Sequence, residues 1–171
     1  MANVEVKVPQ SDFELVEIDS DHLKATAFNM LFMIWRRESL AEPFRRSVAL
    51  VEQLAKKSKS QIGVCQLVEP EAIAPDAAGR AAFTEILQLD SIAHSSVTHD
   101  GTGFKAASVR AIVNLQILLG KPKFPHRIFS TVAEATTWHA EMQTKLGRTD
   151  SAARLAFVVK ELRALHRERY P

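Results

Sequence analysis

Phe28, Met30, Leu31, Phe32, Met33 and Ile34 crowd one short segment of the chain. Side chains alternate between the two faces of a strand, so apolar residues at both odd and even positions need cover on both sides. The segment therefore predicts a strand in the middle of a covered sheet. That is the tightest constraint on the fold, because a helix bundle or a half-exposed antiparallel sheet has no place for such a strand.

The rest of the pattern supplies the cover. Residues 13–18 and 23–35 form two strand-like runs separated by Asp19-Ser20-Asp21, whose short polar side chains suit a tight turn, so an antiparallel hairpin is expected. Ser39-Leu40-Ala41-Glu42 has the spacing of a capping box, and the helix it opens runs to about Lys57 with Phe44, Val48, Val51 and Ala55 at helical spacing. Ile62–Val68 reads as a short apolar strand. Asp76 then serves as the N-cap of a helix carrying Phe83, Ile86 and Leu87. Ile92–Thr98 is the next strand, and the strongly apolar helix 104–119 stops at Gly120. A brief strand at 127–130 precedes a second capping box, Thr131-Val132-Ala133-Glu134, whose helix places Ala135, Trp138, Met142 and Leu146 on one face. Strands alternating with helices argue an α/β fold: a mostly parallel sheet with an N-terminal antiparallel hairpin, flanking helices and an extra C-terminal helix.

Composition sets bounds on function. A net charge of +2 does not call for a nucleic-acid partner, although Lys160, Arg163, Arg167 and Arg169 concentrate near the C-terminus. The single Cys65 lies in an apolar run and behaves as a small buried hydrophobe. No charged-then-apolar leader opens the chain and no apolar run approaches the ~18 residues of a membrane span. A cytoplasmic location with no transmembrane segment is the resulting expectation.

Asp76-Ala77-Ala78-Gly79 stands directly after a strand and loop, at the start of the second helix. This placement and the order of elements resemble the STAS domain and its SpoIIAA-like group, the fold of bacterial anti-sigma-factor antagonists. The resemblance covers residues 12–147, leaving 1–11 as a tail or edge strand and 148–171 as an appended amphipathic helix. In that family the motif is Asp-Ser-Ser-Gly, and phosphorylation of the second serine is the switch. Ala78 stands at the phosphoserine position here. The resemblance thus implies a non-catalytic regulatory module without the switch, binding another protein, such as an anti-sigma-like regulator, through Asp76, Ala77, Ala78, Gly79 and Arg80. It implies no cofactor. The same resemblance, with the similarly folded CRAL-TRIO group, leaves a small apolar-ligand or lipid carrier as the alternative.

Other motifs are weaker. Gly101, Thr102, Gly103 and Lys105 join a strand to a helix, where glycine-flanked amides at the positive end of the helix dipole make a candidate anion site. A tight turn capped by Thr102 or Asp100 explains the same residues without a ligand. The six histidines, His22, His94, His99, His126, His139 and His166, lack metal-ligand spacing, so no metal site is expected. Ser95 and Ser96 lack a nucleophile elbow, so nothing anchors a hydrolase. In the C-terminal helix, 150–169, Leu155, Val158, Val159, Leu162 and Leu165 form one stripe, with Phe157 on the opposite side. That stripe must cover the body of the domain or another copy of it, and the exposed Phe157 favours a homodimer.

Overall fold

The computed structural model describes residues 12–171, the side chains of 104, 105 and 116 excepted. The N-terminal segment with Val4, Val6 and Val8, expected to be an edge strand or tail, lies outside the described residues. Among the described residues six strands form one sheet in the order β1-β2-β3-β4-β5-β6. They are β1 (Glu14–Ile18), β2 (His22–Ala27), β3 (Met30–Trp35), β4 (Ile62–Val68), β5 (Ile92–Thr98) and β6 (His126–Phe129). The helices are α1 (Ala41–Ser58), α2 (Ala77–Leu87), α3 (Gly103–Gly120), α4 (Val132–Lys145) and α5 (Ala152–Arg169).

β1, β2 and β3 pair antiparallel, and β3 to β6 pair parallel. The expected hairpin is thus one strand longer than the sequence suggested. The run 23–35 folds back on itself at Phe28 and Asn29, whose φ angles of 55° and 54° are those of a two-residue hairpin turn. A phenylalanine in the left-handed region is costly, and its neighbours hold it there. Gln143 Nε2 donates to its carbonyl at 2.8 Å, and the Arg154 guanidinium lies over its ring at 4.4 Å.

β3 meets the expectation of cover on both faces. Leu31, Met33 and Trp35 face a core built with Phe44 and Val51 of α1 and Ala82, Phe83 and Ile86 of α2, against which Val113 and Ile117 of α3 pack. Met30, Phe32 and Ile34 face a second core with Cys65, Leu67 and the α5 residues Leu155, Val158, Val159 and Leu162. Because each right-handed crossover moves one strand along the sheet in the same direction, α1, α2 and α3 all fall on one face. α4 and α5 cover the other.

The C-terminal stripe therefore covers its own domain. Four of its five residues, Leu155, Val158, Val159 and Leu162, are at most 1% exposed, each such burial being worth about 1.5–3 kcal/mol, and Leu165 is partly buried against them. Phe157 stays half-exposed.

The helix caps divide. Thr131 forms the expected capping box with Glu134, and Asp76 Oδ1 accepts from Gly79 N at 2.8 Å. The capping box expected at Ser39 does not form. Leu40 is the N-cap of α1, without a side-chain bond, because Ser39 is buried where its loop packs on the start of α2. α4 also differs from its expected face: His139 and Gln143 are buried while Leu146 is exposed, because α4 lies over polar residues of β5.

Candidate functional site

Parallel strands feeding helices gather the strand C-termini and helix N-termini along one edge of the sheet, the usual binding edge of such folds. The loops at this edge are 36–40 after β3, 69–76 after β4, 99–102 after β5 and 130–131 after β6. Both of the places singled out in the sequence lie here, after the adjacent strands β4 and β5.

The motif at the start of α2 divides into two structural and two exposed residues. Asp76 caps the helix. Gly79 is buried, and a Cβ there would lie 2.7 Å from the Ser39 carbonyl oxygen and 2.9 Å from Pro75 Cβ, so a glycine is needed for α2 to seat against the loop before α1. Arg80 Nη1 donates back to the Pro75 carbonyl at 2.9 Å. Ala77 and Ala78 point into solvent. Beside them the loops before α1 and α2 are joined by a parallel bridge between Glu38 and Ile73, and Ile73 N donates to the Arg37 carbonyl at 2.6 Å. Ile73 is 59% exposed and Leu40 45%. The result is an exposed surface of apolar and small side chains on a firmly bonded backbone.

After β5, Gly101 N donates to His99 Nδ1 at 3.1 Å, so that amide is engaged within the loop. Thr102 is the N-cap of α3 without a side-chain bond, and Gly103 takes a φ of +83°. The side chain of Lys105, the expected cation, lies outside the described residues. Pro70, His99, Asp100, Gly101, Thr102 and Ala106 line an open groove of about 350 Å³. Asp100, which does not cap the helix, places a carboxylate in that lining and offsets the pull of the helix dipole on an anion.

Asp100 belongs to an ion-pair network that sequence reading missed. Glu69, 3% exposed at the end of β4, accepts from Arg163 Nε and, at 3.1 Å, from Arg167 Nη2. Arg163 Nη1 also donates to Asp100 Oδ2 at 2.9 Å. Burial alone would lower the Arg163 guanidinium, but Glu69 and Asp100 outweigh it and raise it above its ordinary value. The network ties α5 to the edge formed by the strand C-termini. Its local signal was the positive bias of the C-terminal helix, with Arg163 and Arg167 one turn apart.

The histidines prove less scattered in space than in sequence. His139 Nε2 lies 2.7 Å from Ser96 Oγ, and His139 Nδ1 lies 2.9 Å from His94 Nδ1. All three residues are at most 1% exposed. Burial holds His94 down to about 4 and His139 well below its ordinary value, so both rings are neutral near pH 7. The constellation has the order nucleophile, base, orienter, yet it sits inside the core where no substrate reaches it. On the other face Ser95 Oγ pairs with His126 Nδ1 at 2.9 Å, and burial takes His126 to about 4. His94 packs against Trp138 and His139, and His99 lies against Gly101.

Among the described residues, donor atoms of Glu17, Asp19 and His22 lie within 4.8 Å of one another. Glu17 is already held by three partners: Arg46, His22 Nε2 at 2.6 Å and Lys24 Nζ at 3.0 Å. Burial raises its carboxyl, but these bonds overcome it and bring it down to about 2. A metal ion would have to displace two cations, so the cluster reads as an ion pair locking β1 and β2 to α1.

No family model matches the chain, and no curated protein or solved structure matches it. No helix among the described residues is long and apolar enough to cross a membrane.

Proposed function

We propose that the chain is a non-catalytic, STAS-like regulatory module that binds another protein through the edge formed by Leu40, Ile73, Ala77 and Ala78. One observation carries this reading. In Asp76-Ala77-Ala78-Gly79 the outer residues hold the backbone, while the inner two remain exposed beside two exposed aliphatic side chains. Small side chains allow a partner's surface to approach closely, and exposed aliphatic residues gain from being covered. Alanine at 77 and 78 has no oxygen to accept phosphate, so binding here is not switched as in the antagonists the sequence resembles. The partner that this resemblance suggests is an anti-sigma-like regulator, met in the cytoplasm.

The carrier reading asks for enclosed apolar volume, and the grooves found here, about 300–380 Å³ each, are open to solvent. That favours the protein-binding reading. The test is affinity capture from the native host with wild type, Ile73→Asp and Ala78→Arg in parallel. A stoichiometric protein held by wild type and lost from both variants, with unchanged melting temperatures, is the expected result. Identical captured sets from all three would overturn the proposal.

A further inference from the structure

The exposed face of α3 is a second apolar surface, separate from the binding edge. Ala107, Ala111, Leu115 and Leu119 recur every four residues and form one ridge along the helix. All four are exposed, with Leu115 at 53% and Leu119 at 66%, and the neighbouring Leu118 is 71% exposed. The ridge is graded, with small residues in its first half and large ones in its second.

We propose that this ridge is the contact of a two-fold homodimer in which two copies of α3 lie antiparallel. A two-fold axis at Val113 sets Ala107 against the partner's Leu119 and Ala111 against the partner's Leu115. Each large side chain then meets a small one, at both levels and in both directions, as an isologous contact requires. Asn114 is exposed one residue from that axis and faces its own copy, where a polar pair fixes the register.

Charge points to the same occupant. α3 contains no Asp or Glu, and its only cations are Lys105 and Arg110. Arg110 Nη1 is turned toward its own chain, donating to the carbonyls of His99 and Gly101 at 3.3 and 3.4 Å. Among the described side chains the ridge therefore has no charge to select an acidic or basic partner or an anionic lipid surface, and none to repel its own copy. From 107 to 119 the ridge is only about 18 Å long at 1.5 Å per residue. One helix pair of that length falls short of the ~800 Å² per partner of standard interfaces, so the dimer dissociates on dilution in the micromolar range.

The experiment is sedimentation equilibrium over a concentration series with wild type, Ala111→Glu and Leu115→Lys. Both substitutions are at exposed positions, and melting curves establish that the variants fold. Wild type should dimerise, and each variant alone should need at least about tenfold higher concentration, a cost of about 1.4 kcal/mol. An equimolar mixture of the variants should recover dimer, because the carboxylate introduced in one chain then faces the ammonium introduced in the other while the second contact stays native. Wild type that remains monomeric to hundreds of micromolar overturns the proposal. So do variants that dimerise like wild type, a mixture that stays monomeric, or a monomer that binds anionic phospholipid vesicles through this face.

Discussion

Lowering the pH from 7 toward 2 should destabilise this protein in two stages, and the first stage belongs to its buried histidines. His94 is 0% exposed and is held at about 4 against an ordinary 6.5. Between these values the unfolded chain takes up a proton at this position and the native chain does not, so stability falls as pH falls. Above 6.5 both states are neutral and the histidine has no effect. Below about 4 both are protonated and the loss is complete. The full gap corresponds to about 3.4 kcal/mol, and about 2 kcal/mol is already lost at pH 5. His139 and His126 are displaced in the same direction and steepen the decline. Glu17 follows a different course. Its folded value of about 2 lies below the ordinary 4.5, so its contribution is intact above 4.5 and is lost as pH falls toward 2. The assay is urea unfolding at half-unit steps from pH 7.5 to 4.5, with His94→Gln in parallel. Wild type should lose several kcal/mol over this range, and the variant's slope should be smaller by close to one proton, about 1.4 kcal/mol per pH unit. A flat profile between pH 7 and 5, or equal slopes for wild type and variant, would refute the reasoning.

Three further outcomes follow from the packing. Gly79→Ala forces a Cβ to within 2.7 Å of a backbone oxygen and should cost about 1–3 kcal/mol, read as a lower melting temperature. Ala78→Ser, one residue earlier and exposed, should leave the melting temperature within a degree or two. Glu69→Ala leaves the partly buried Arg163 with Asp100 alone and should cost about 3 kcal/mol, with hydrogen exchange rising first in α5.

The parallel part of the fold was legible because its signals are local. Asp76 and Thr131 cap the helices they were expected to cap, and strand and helix periods alternate from residue 62 onward. The turn at Phe28 and Asn29 was not legible, since an apolar aromatic with positive φ gives no turn signal and is held in place by Gln143 and Arg154 from distant helices. The buried face of α4 was misread for a related reason. His139 and Gln143 count as surface residues until His94, Ser96 and the Phe28 carbonyl are placed opposite them. At the candidate site, the position of residues 76–80 was readable. The exposure of Leu40 and Ile73 and the Glu69, Arg163 and Arg167 network depend on loops and a helix far apart in sequence.

The central claim, that the edge at α2 meets a protein, is tested most directly by photo-crosslinking in the native host. A photoreactive side chain is placed in turn at Ala78, at Ile73 and, on the opposite edge, at Lys57 near the end of α1, all exposed positions. The account predicts one discrete adduct of the same partner from Ala78 and Ile73 and none of it from Lys57. The same adduct from all three positions, or from Lys57 alone, would contradict it.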